Sequence, residues 1–459
     1  QKFQFERGPG KLPVTAAPED ASNDWPCYRH DAFRSAGTTA ALPRELKVLW
    51  TTQFGGWPDG PIARDWRENY FSRSPVGPPV AAGGLVYVAR PSAHEVVAMD
   101  AASGAVRWRF TANGPVDTAP TIHRGLCMFG CKSGWVYALR ADDGLLVWRL
   151  RVAPLDRRIV AYGQLESPWP VPGSVLADGE AVYLAAGRQP FADGGVVVMA
   201  IDPLGATIRW TARLDSLPQK DFYHSSGMDF ENFDLLHREG DAVAMSRWMF
   251  DRRSGQMTCD EQNGYARIRT GRSGGVLVPR GAWSYAPLYE PQTWHERPFV
   301  RPLAAYRDST LLGCTQDRRT VYRRDFSDAE IMPPPPPASA PARGAKADAG
   351  VRFDTNWVGY GVFNAKYGRL WRSQLLMRKA AWKAVPFPLS EGIQSINAML
   401  LAGDALYVAT DKGNLAVLDN QTGRTLGRLA IPPPAWDSLA AAGGRLFLSR
   451  GDPGSEEPC

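Results

Sequence analysis

Along much of the chain, apolar runs of a few residues are broken by turns built on glycine or aspartate, a pattern of many short strands rather than long helices. The stretch AMDAASGAVRWRF (98–110) is typical: a strand, a tight turn at Ser103-Gly104, and a second strand reaching the large aromatic Trp108. It recurs. Residues 138–148 read ALRADDGLLVW, with Gly144 in the place of Gly104 and Trp148 in that of Trp108. Residues 200–210 read AIDPLGATIRW, the glycine falling one position early at Gly205. Residues 417–427 read VLDNQTGRTLG with Gly427 replacing the aromatic, and 249–259 read MFDRRSGQMTC with Cys259 there. Each copy follows an apolar segment, a glycine or aspartate turn and an alternating strand, as in PPVAAGGLVYVA (78–89), APTIHRGLCMFG (119–130), VLADGEAVYLAA (175–186), LLHREGDAVAMS (235–246) and MLLAGDALYVAT (399–410). Together these make four short antiparallel strands per unit, one blade of a β-propeller. Gly, Asp and Asn supply the tight hairpins, and the tryptophan ending the fourth strand fills the space between blades.

The repeats predict an all-β fold: a single eight-bladed β-propeller of four-stranded antiparallel blades, or seven blades if one irregular region is an insertion. Clear blades end at Trp108, Trp148 and Trp210, a further clear one spans 396–430, and a degenerate one lies near 228–260. Irregular blades are expected in 275–327 and 351–388. The lone outer strand LKVLW (46–50) and the inner strands of PAWDSLAAAGGRLFLSRG (434–451) complete one another, so the N- and C-terminal segments pair to close the ring. The propeller is thus expected over 45–459, its closing blade built from 45–54 plus 434–451, with residues 1–44 an extension packing on it. The segment IMPPPPPASAPARGAKADAG (331–350) reads as a disordered Pro/Ala-rich insertion.

Composition adds limits rather than chemistry. The 459 residues include 45 Gly, 38 Pro and 16 Trp, which suits strands and turns. The 53 basic residues are interleaved with 47 acidic ones, so the net charge of +6 describes a mixed surface, and basic residues and aromatics concentrate in no segment that would bind nucleic acid. No run of about eighteen apolar residues predicts a transmembrane segment. The six cysteines, at 27, 127, 131, 259, 314 and 459, form no CxxC pair. Cys127 and Cys131 would lie roughly 13 Å apart on one strand, too far to bond each other. Closure of the ring would bring Cys27 and Cys459 together, and a disulfide is expected between them.

The hairpin Ala-x-Asp-x-x-(Ser/Thr/Asp)-Gly-x-x-x-Trp resembles the repeat of the pyrroloquinoline-quinone-like (quinoprotein-type) propeller superfamily. The segments DWPCYRHDAFRSAG (24–37) and RRIVAYGQLESPWPVPGSVL (157–176) are similar to its exported bacterial members of unassigned activity. The resemblance implies export to the periplasm or cell surface of a bacterium, any leader being removed or lying outside this sequence. For the superfamily's enzymes it implies a quinone, a calcium ion held by carboxylates and an amide, an aspartate base, a tryptophan stacked on the quinone and, in many, a disulfide between adjacent cysteines. No two cysteines are adjacent here and no motif carries those ligands, so no cofactor is expected. The expected function is a ligand- or protein-binding assembly scaffold at the cell envelope. A PQQ- and calcium-dependent alcohol or sugar dehydrogenase is the alternative, and a carbohydrate-active enzyme a further one.

In a propeller the innermost strands and the loops entering them line a central channel, and ligands sit at its mouth. The stretch RRIVAYGQLES (157–167) offers Arg158, Tyr162, Gln164 and Glu166 as ligand-binding candidates, and DFYHSSGMDFENFD (221–234) offers His224, Asp229 and Glu231. Arginine beside carboxylate suits an acidic carbohydrate, since its fork matches such oxygens; the plainer expectation is that Arg158 and Glu166 pair with each other. Asp229 and Glu231 suit calcium or acid-base work. Trp283, Tyr285 and Trp294 would stack on a sugar or pack between blades. His123 is expected to be structural. No catalytic set is legible, and the partner is expected to be a protein or an acidic carbohydrate.

Overall fold

The computed structural model describes residues 3–13, 23–57, 74–161, 163–171, 173–188, 193–214, 235–239, 242–245, 248–256, 303–315, 318–325 and 380–451. Among them the chain forms six sheets of three to five strands, antiparallel but for one short parallel pairing, and two two-stranded hairpins. The first sheet holds Val80–Ala82, Leu85–Arg90, Glu95–Asp100 and Val106–Thr111 in sequence order. The second (Thr121–His123, Leu126–Cys131, Trp135–Arg140, Leu146–Arg151) and third (Leu176–Asp178, Ala181–Ala186, Val196–Ile201, Ile208–Leu214) repeat it. The fourth sheet has three described strands, His237–Glu239, Ala242–Met245 and Trp248–Asp251. The sixth is built from Ile396–Ala402, Ala405–Thr410, Asn414–Asp419 and Thr425–Ala430.

Neighbouring sheets meet through their first strands. Pro434–Ala442 touches Ile396–Ala402 and Val80–Ala82, Ala304–Arg307 touches Ile396–Ala402, and Leu176–Asp178 touches Thr121–His123. First strands that converge in this way are the innermost strands of a propeller. Since sheets pack on both faces, the middle strands are apolar throughout rather than alternating: Ala181–Ala186 and Val196–Ile201 are buried at every position.

The repeat hairpin has one packing role. The indole Nε1 of Trp108 donates to the Ala141 carbonyl of the next sheet at 3.0 Å, that of Trp148 to Pro203 at 2.9 Å, and that of Trp210 to Arg252 at 3.0 Å. Trp50 reaches Ala101 at 3.1 Å and Trp382 reaches Asn420 at 2.9 Å. Each tryptophan thus wedges against the turn of the following hairpin, as expected, and Trp382 is a member of the series that the repeat pattern alone did not reveal.

One expectation needs correction. The regions 275–327 and 351–388, read as separate blades, contribute to one sheet: Ala304–Arg307, Thr310–Cys314, Val321–Asp325 and then Trp382–Ala384. The residues between its last two strands lie mostly outside those described, and a count of eight is not reached among the described residues. No disulfide forms among the described residues; the expected Cys27–Cys459 pair lies outside them because Cys459 does, as do the Pro/Ala-rich stretch 331–350, Cys259, Trp283, Tyr285 and Trp294. Cys127 and Cys131 are buried thiols, raised by burial, Cys131 to about 11.

The N-terminal residues do more than pack on the outside. Gln4–Arg7 adds a fifth strand to the outer edge of the second sheet, antiparallel to Leu146–Arg151, and Gly37–Thr38 pairs in parallel with Leu401 and Ala402 of the sixth. Between them residues 23–38 run along the innermost strands, whose inner edges would otherwise be open. The Gly443 amide donates to Asn23 O, the Trp25 amide to Ala81 O, and the Ile122 amide to Pro26 O. Further on, the Arg238 amide donates to Ala32 O, that of Tyr306 to Ser35 O and that of Leu401 to Ala36 O. One segment therefore caps the inner strands of six sheets and hairpins round the ring.

Candidate functional site

Two polar assemblies are buried where an apolar core would be expected. The first holds the capping segment in the channel. Asp437, at a positive φ of 50° in the strand Pro434–Ala442, accepts from Arg29 Nη1 and from the Tyr28 hydroxyl, both at 2.6 Å. Arg29 also donates to the carbonyls of Arg34 and Ala304. Arg34 donates to the carbonyls of Tyr28, Leu236 and Val175, so one guanidinium ties the third and fourth sheets to the segment. Arg29, Arg34 and Asp437 are all buried, and the Asp437 charge with neighbouring hydroxyls outweighs burial in raising the Arg29 pKa. Arg29, His30, Arg34 and Ala36 all adopt positive φ, a run of left-handed residues that side-chain and backbone bonds must hold in place.

The second assembly lies at the connection from the second sheet to the third. This connection carries the two-stranded hairpin Ile159–Ala161 and Gln164–Glu166, in which Val160 pairs with Leu165. By strand alternation Gln164 and Glu166 share one face and Val160 and Leu165 the other. The faces are reversed relative to the usual rule. Gln164 and Glu166 are 5% and 0% exposed, whereas Val160 and Leu165 are 74% and 64% exposed. Glu166 is held by Lys132 Nζ at 3.3 Å, from the turn between the middle strands of the second sheet, and by Arg188, which follows the second strand of the third. The turn at Lys132 is further pinned by the Ser167 amide donating to Lys132 O at 2.8 Å.

Asp117, entering the first strand of the second sheet, completes the group. Its Oδ1 accepts the Gly173 amide at 2.9 Å, while its Oδ2 has no hydrogen-bond partner. Burial pushes this carboxyl above its ordinary value; Lys132 and the Gly173 amide pull it back, and the Glu166 charge pushes it up again. Both atoms of the Gln164 amide, Ser174 Oγ and Arg188 Nε are likewise buried without hydrogen-bond partners.

Of the candidates read from sequence, the structure brings Gln164 and Glu166 together on the buried face of the hairpin. Arg158 does not pair with Glu166; it faces Asp156 at 3.8 Å, because Glu166 points inward to Lys132 and Arg188 while Arg158 stays near the surface. Tyr162, His224, Asp229 and Glu231 lie outside the described residues. His123 has a structural contact, its Nε2 lying 2.9 Å from Gly179 O. Sequence reading missed Asp117, Lys132 and Arg188. A lysine flanked by the buried strands FGC and WVY was the one available signal. Among the described residues no three His, Cys, Asp or Glu side chains converge as a metal site would require.

A family described as "Outer membrane protein assembly factor BamB" matches residues 41–221. Among solved structures, a quinohemoprotein alcohol dehydrogenase from Comamonas testosteroni is 12% identical, with 94% of this chain and 76% of that one covered and a TM-score of 0.50. The alcohol dehydrogenase ADHIIG of Pseudomonas putida HK5 is 11% identical over 93% and 75%, with a TM-score of 0.48. BamB from Moraxella catarrhalis is 13% identical over 82% and 79%, with a TM-score of 0.35. No curated protein matches significantly. At such identities the first of these structures speaks for the fold alone. The repeat hairpins, the indole wedges and the family match over residues 41–221 agree on a β-propeller fold similar to that of the pyrroloquinoline-quinone-like superfamily.

Proposed function

We propose that the chain is a non-catalytic binding and assembly scaffold of the bacterial cell envelope, carrying no bound quinone. The observation that carries this reading is the capping segment: residues 23–38 fill the inner edges of the ring with the chain's own backbone and with the Arg29–Asp437 pair. A propeller that occupies its own channel works through its outer loops. The hairpin that displays Val160 and Leu165, with Leu155 beside it at 61% exposed, gives such a surface. The matching family is described as an outer-membrane assembly factor, which supports the envelope and a protein partner. The same reading closes the ring by setting 45–54 beside 434–451, supported by the tilted contact of Trp50 with Phe447, 6.0 Å between centroids.

The alternative is a quinone- and calcium-dependent dehydrogenase, favoured by the fold shared with the Comamonas enzyme. Adding the quinone and calcium to the purified protein, then recording the absorbance spectrum and dye-linked oxidation of alcohols and sugars, separates the two. The scaffold reading expects neither a bound-quinone spectrum nor turnover. It also expects photo-crosslinkers at Val160 and Leu165 to give discrete protein adducts in cells, with none from exposed Glu180. Turnover with quinone, or no adduct at any outer loop, would sink it.

A further inference from the structure

The blade that joins the two ends of the ring lacks one strand among the described residues. In the first and third sheets the third residue of the second strand touches the tryptophan of the fourth: the Tyr87 and Trp108 rings lie 5.9 Å apart, and so do those of Tyr183 and Trp210. The third strand runs between them, Ala98 pairing with both Tyr87 and Trp108, and Ala200 with both Tyr183 and Trp210. Phe447, the third residue of Arg445–Arg450, stands 6.0 Å from Trp50 in the same way. Trp50 also makes the fourth-strand contacts, its indole donating to Ala101 O and its ring lying 2.5 Å from where a Cβ of Gly104 would be. Arg445–Arg450 and residues 46–52 therefore hold the second and fourth places of one blade, two strand spacings or about 9.5 Å apart. Yet Arg445–Arg450 pairs only with Pro434–Ala442, so among the described residues the third place and the backbone edge facing it are open.

Exposure and charge describe what fits there. Leu446 and Leu448 are half-buried, whereas Val86, Val88, Val182 and Leu184, which hold their places in the first and third sheets, are buried. Val48 and Leu49 are 63% and 55% exposed. The strand reads RLFLSR where the first sheet has LVYVAR at 85–90. In that sheet Arg90 lies opposite Glu95 and pairs with it at 2.6 Å, and Leu85 lies opposite Asp100. The third strands opposite Ala242 and Ala405 likewise end on aspartate, Asp251 and Asp419. The same register sets the first residue of an incoming strand against Arg450 and its sixth against Arg445, whose Nε is buried without a hydrogen-bond partner. Its fourth residue meets Phe447 and Trp50, as Ala98 meets Tyr87 and Trp108, and so must be small. An arginine at each end with apolar side chains between them thus matches a strand with acidic ends and an apolar middle.

The flanking stretches of this chain do not carry that pattern. Residues 452–459, DPGSEEPC, place Glu456, Glu457 and Pro458 where the third strands are apolar, and residues 58–73, PDGPIARDWRENYFSR, have no run of four apolar residues. We propose that this blade is a strand-acceptor site for a partner protein. A donated segment of the form acidic–apolar–apolar–Ala–apolar–acidic, as in the chain's own third strand Glu95–Asp100 (EVVAMD), adds antiparallel to Arg445–Arg450 and fills the third place. Main-chain hydrogen bonds supply the affinity, and the two arginines and the small fourth residue set the register. The site rests on the reading of 45–54 and 434–451 as one blade, and it is separate from the outer face of the hairpin at 159–166.

The test is calorimetric titration of the whole chain with a synthetic peptide of residues 93–102, AHEVVAMDAA, followed in parallel by hydrogen exchange. The proposal expects saturable binding and slower amide exchange at 445–450 and 46–52 in the complex. A peptide carrying Glu95→Lys with Asp100→Lys, or one carrying Ala98→Phe, should bind at least tenfold more weakly, about 1.4 kcal/mol. Arg445→Glu with Arg450→Glu in the chain should invert the preference toward the lysine-ended peptide, which neither an indiscriminate edge nor an unfolded chain would do. No saturable binding, equal binding of the lysine-ended peptide to the unaltered chain, or amides at 445–450 already protected in the free chain by its own residues would overturn it. A double-mutant cycle of Trp50→Ala and Phe447→Ala without peptide checks the blade by itself. Coupling there with no peptide binding refutes the strand site alone, and no coupling refutes the blade on which it rests.

Discussion

At the scale of single residues, the tightest constraint is the glycine of each hairpin turn. Gly144 has φ of 75°, and a Cβ there would fall 2.7 Å from the Trp108 ring; at Gly423 a Cβ would fall 2.6 Å from the Trp382 ring. Both the left-handed backbone and the indole exclude a side chain. Gly144→Ala is expected to lose roughly 2–4 kcal/mol, the sum of left-handed strain and overpacking, measurable by denaturant unfolding. In the third sheet Gly205 is one position early in the sequence, and Ala206 takes the left-handed place at φ 51° with its amide donating to Asp202 O. Ala206→Gly is expected to stay within about 1 kcal/mol of the parent, since relief of strain offsets the lost methyl. Lys132 and Glu166, at 2% and 1% side-chain exposure, are coupled. Lys132→Met should cost about 3–5 kcal/mol by leaving a buried carboxylate with one partner fewer, and adding Glu166→Gln should recover much of it in a double-mutant cycle.

At the scale of the element, the hairpins share an aspartate that ties each turn. Asp100 Oδ1 accepts the Ala102 and Ser103 amides and the Ser103 hydroxyl, and Asp251 and Asp419 repeat this with Ser254 and Thr422. All three carboxyls are held below the ordinary 3.8, Asp100 chiefly by Arg107, Asp251 by the Ser254 amide and Asp419 by the Thr422 hydroxyl. With the folded value below the unfolded one, their contribution is complete above the unfolded value and is lost as pH falls through the lowered ones. Stability should therefore decline as pH drops below about 4, and Asp419→Asn, which keeps the acceptor but not the charge, should flatten that decline in acid titrations followed by circular dichroism. These aspartates were legible from the repeat. The inverted hairpin 159–166 was read only as a polar loop: its alternation is visible in sequence, but which face turns inward depends on Lys132 and Arg188, residues from other sheets.

At the scale of the whole molecule, the ring is held by indole wedges at its sheets' outer strands and by residues 23–38 at its centre. Arg34, 1% exposed, donates to the carbonyls of Leu236 and Val175 in the ring and of Tyr28 in its own segment. Arg34→Met should cost about 3 kcal/mol or more by leaving those acceptors dry. Removal of residues 1–40 should split a single calorimetric transition into broader ones, because the inner strands lose the segment that joins them. A truncated chain that still melts in one sharp step would show that the wedges alone couple the sheets.

The sequence by itself determined the repeating hairpin, its tryptophan and aspartate, and with them an all-β propeller, since each depends on contacts within one unit or between adjacent copies of it. The grouping of strands into sheets and the site were decided only by the tertiary structure. The strands before residue 326 and after 379 join one sheet although more than fifty residues separate them in sequence, which no local pattern announces. Segment 23–38 carries no strand pattern because its partners are the open edges of many inner strands. Asp117, Lys132, Gln164, Glu166 and Arg188 become one polar group because two turns and one connection from neighbouring sheets meet, and a buried charge is satisfied by proximity in space rather than in sequence.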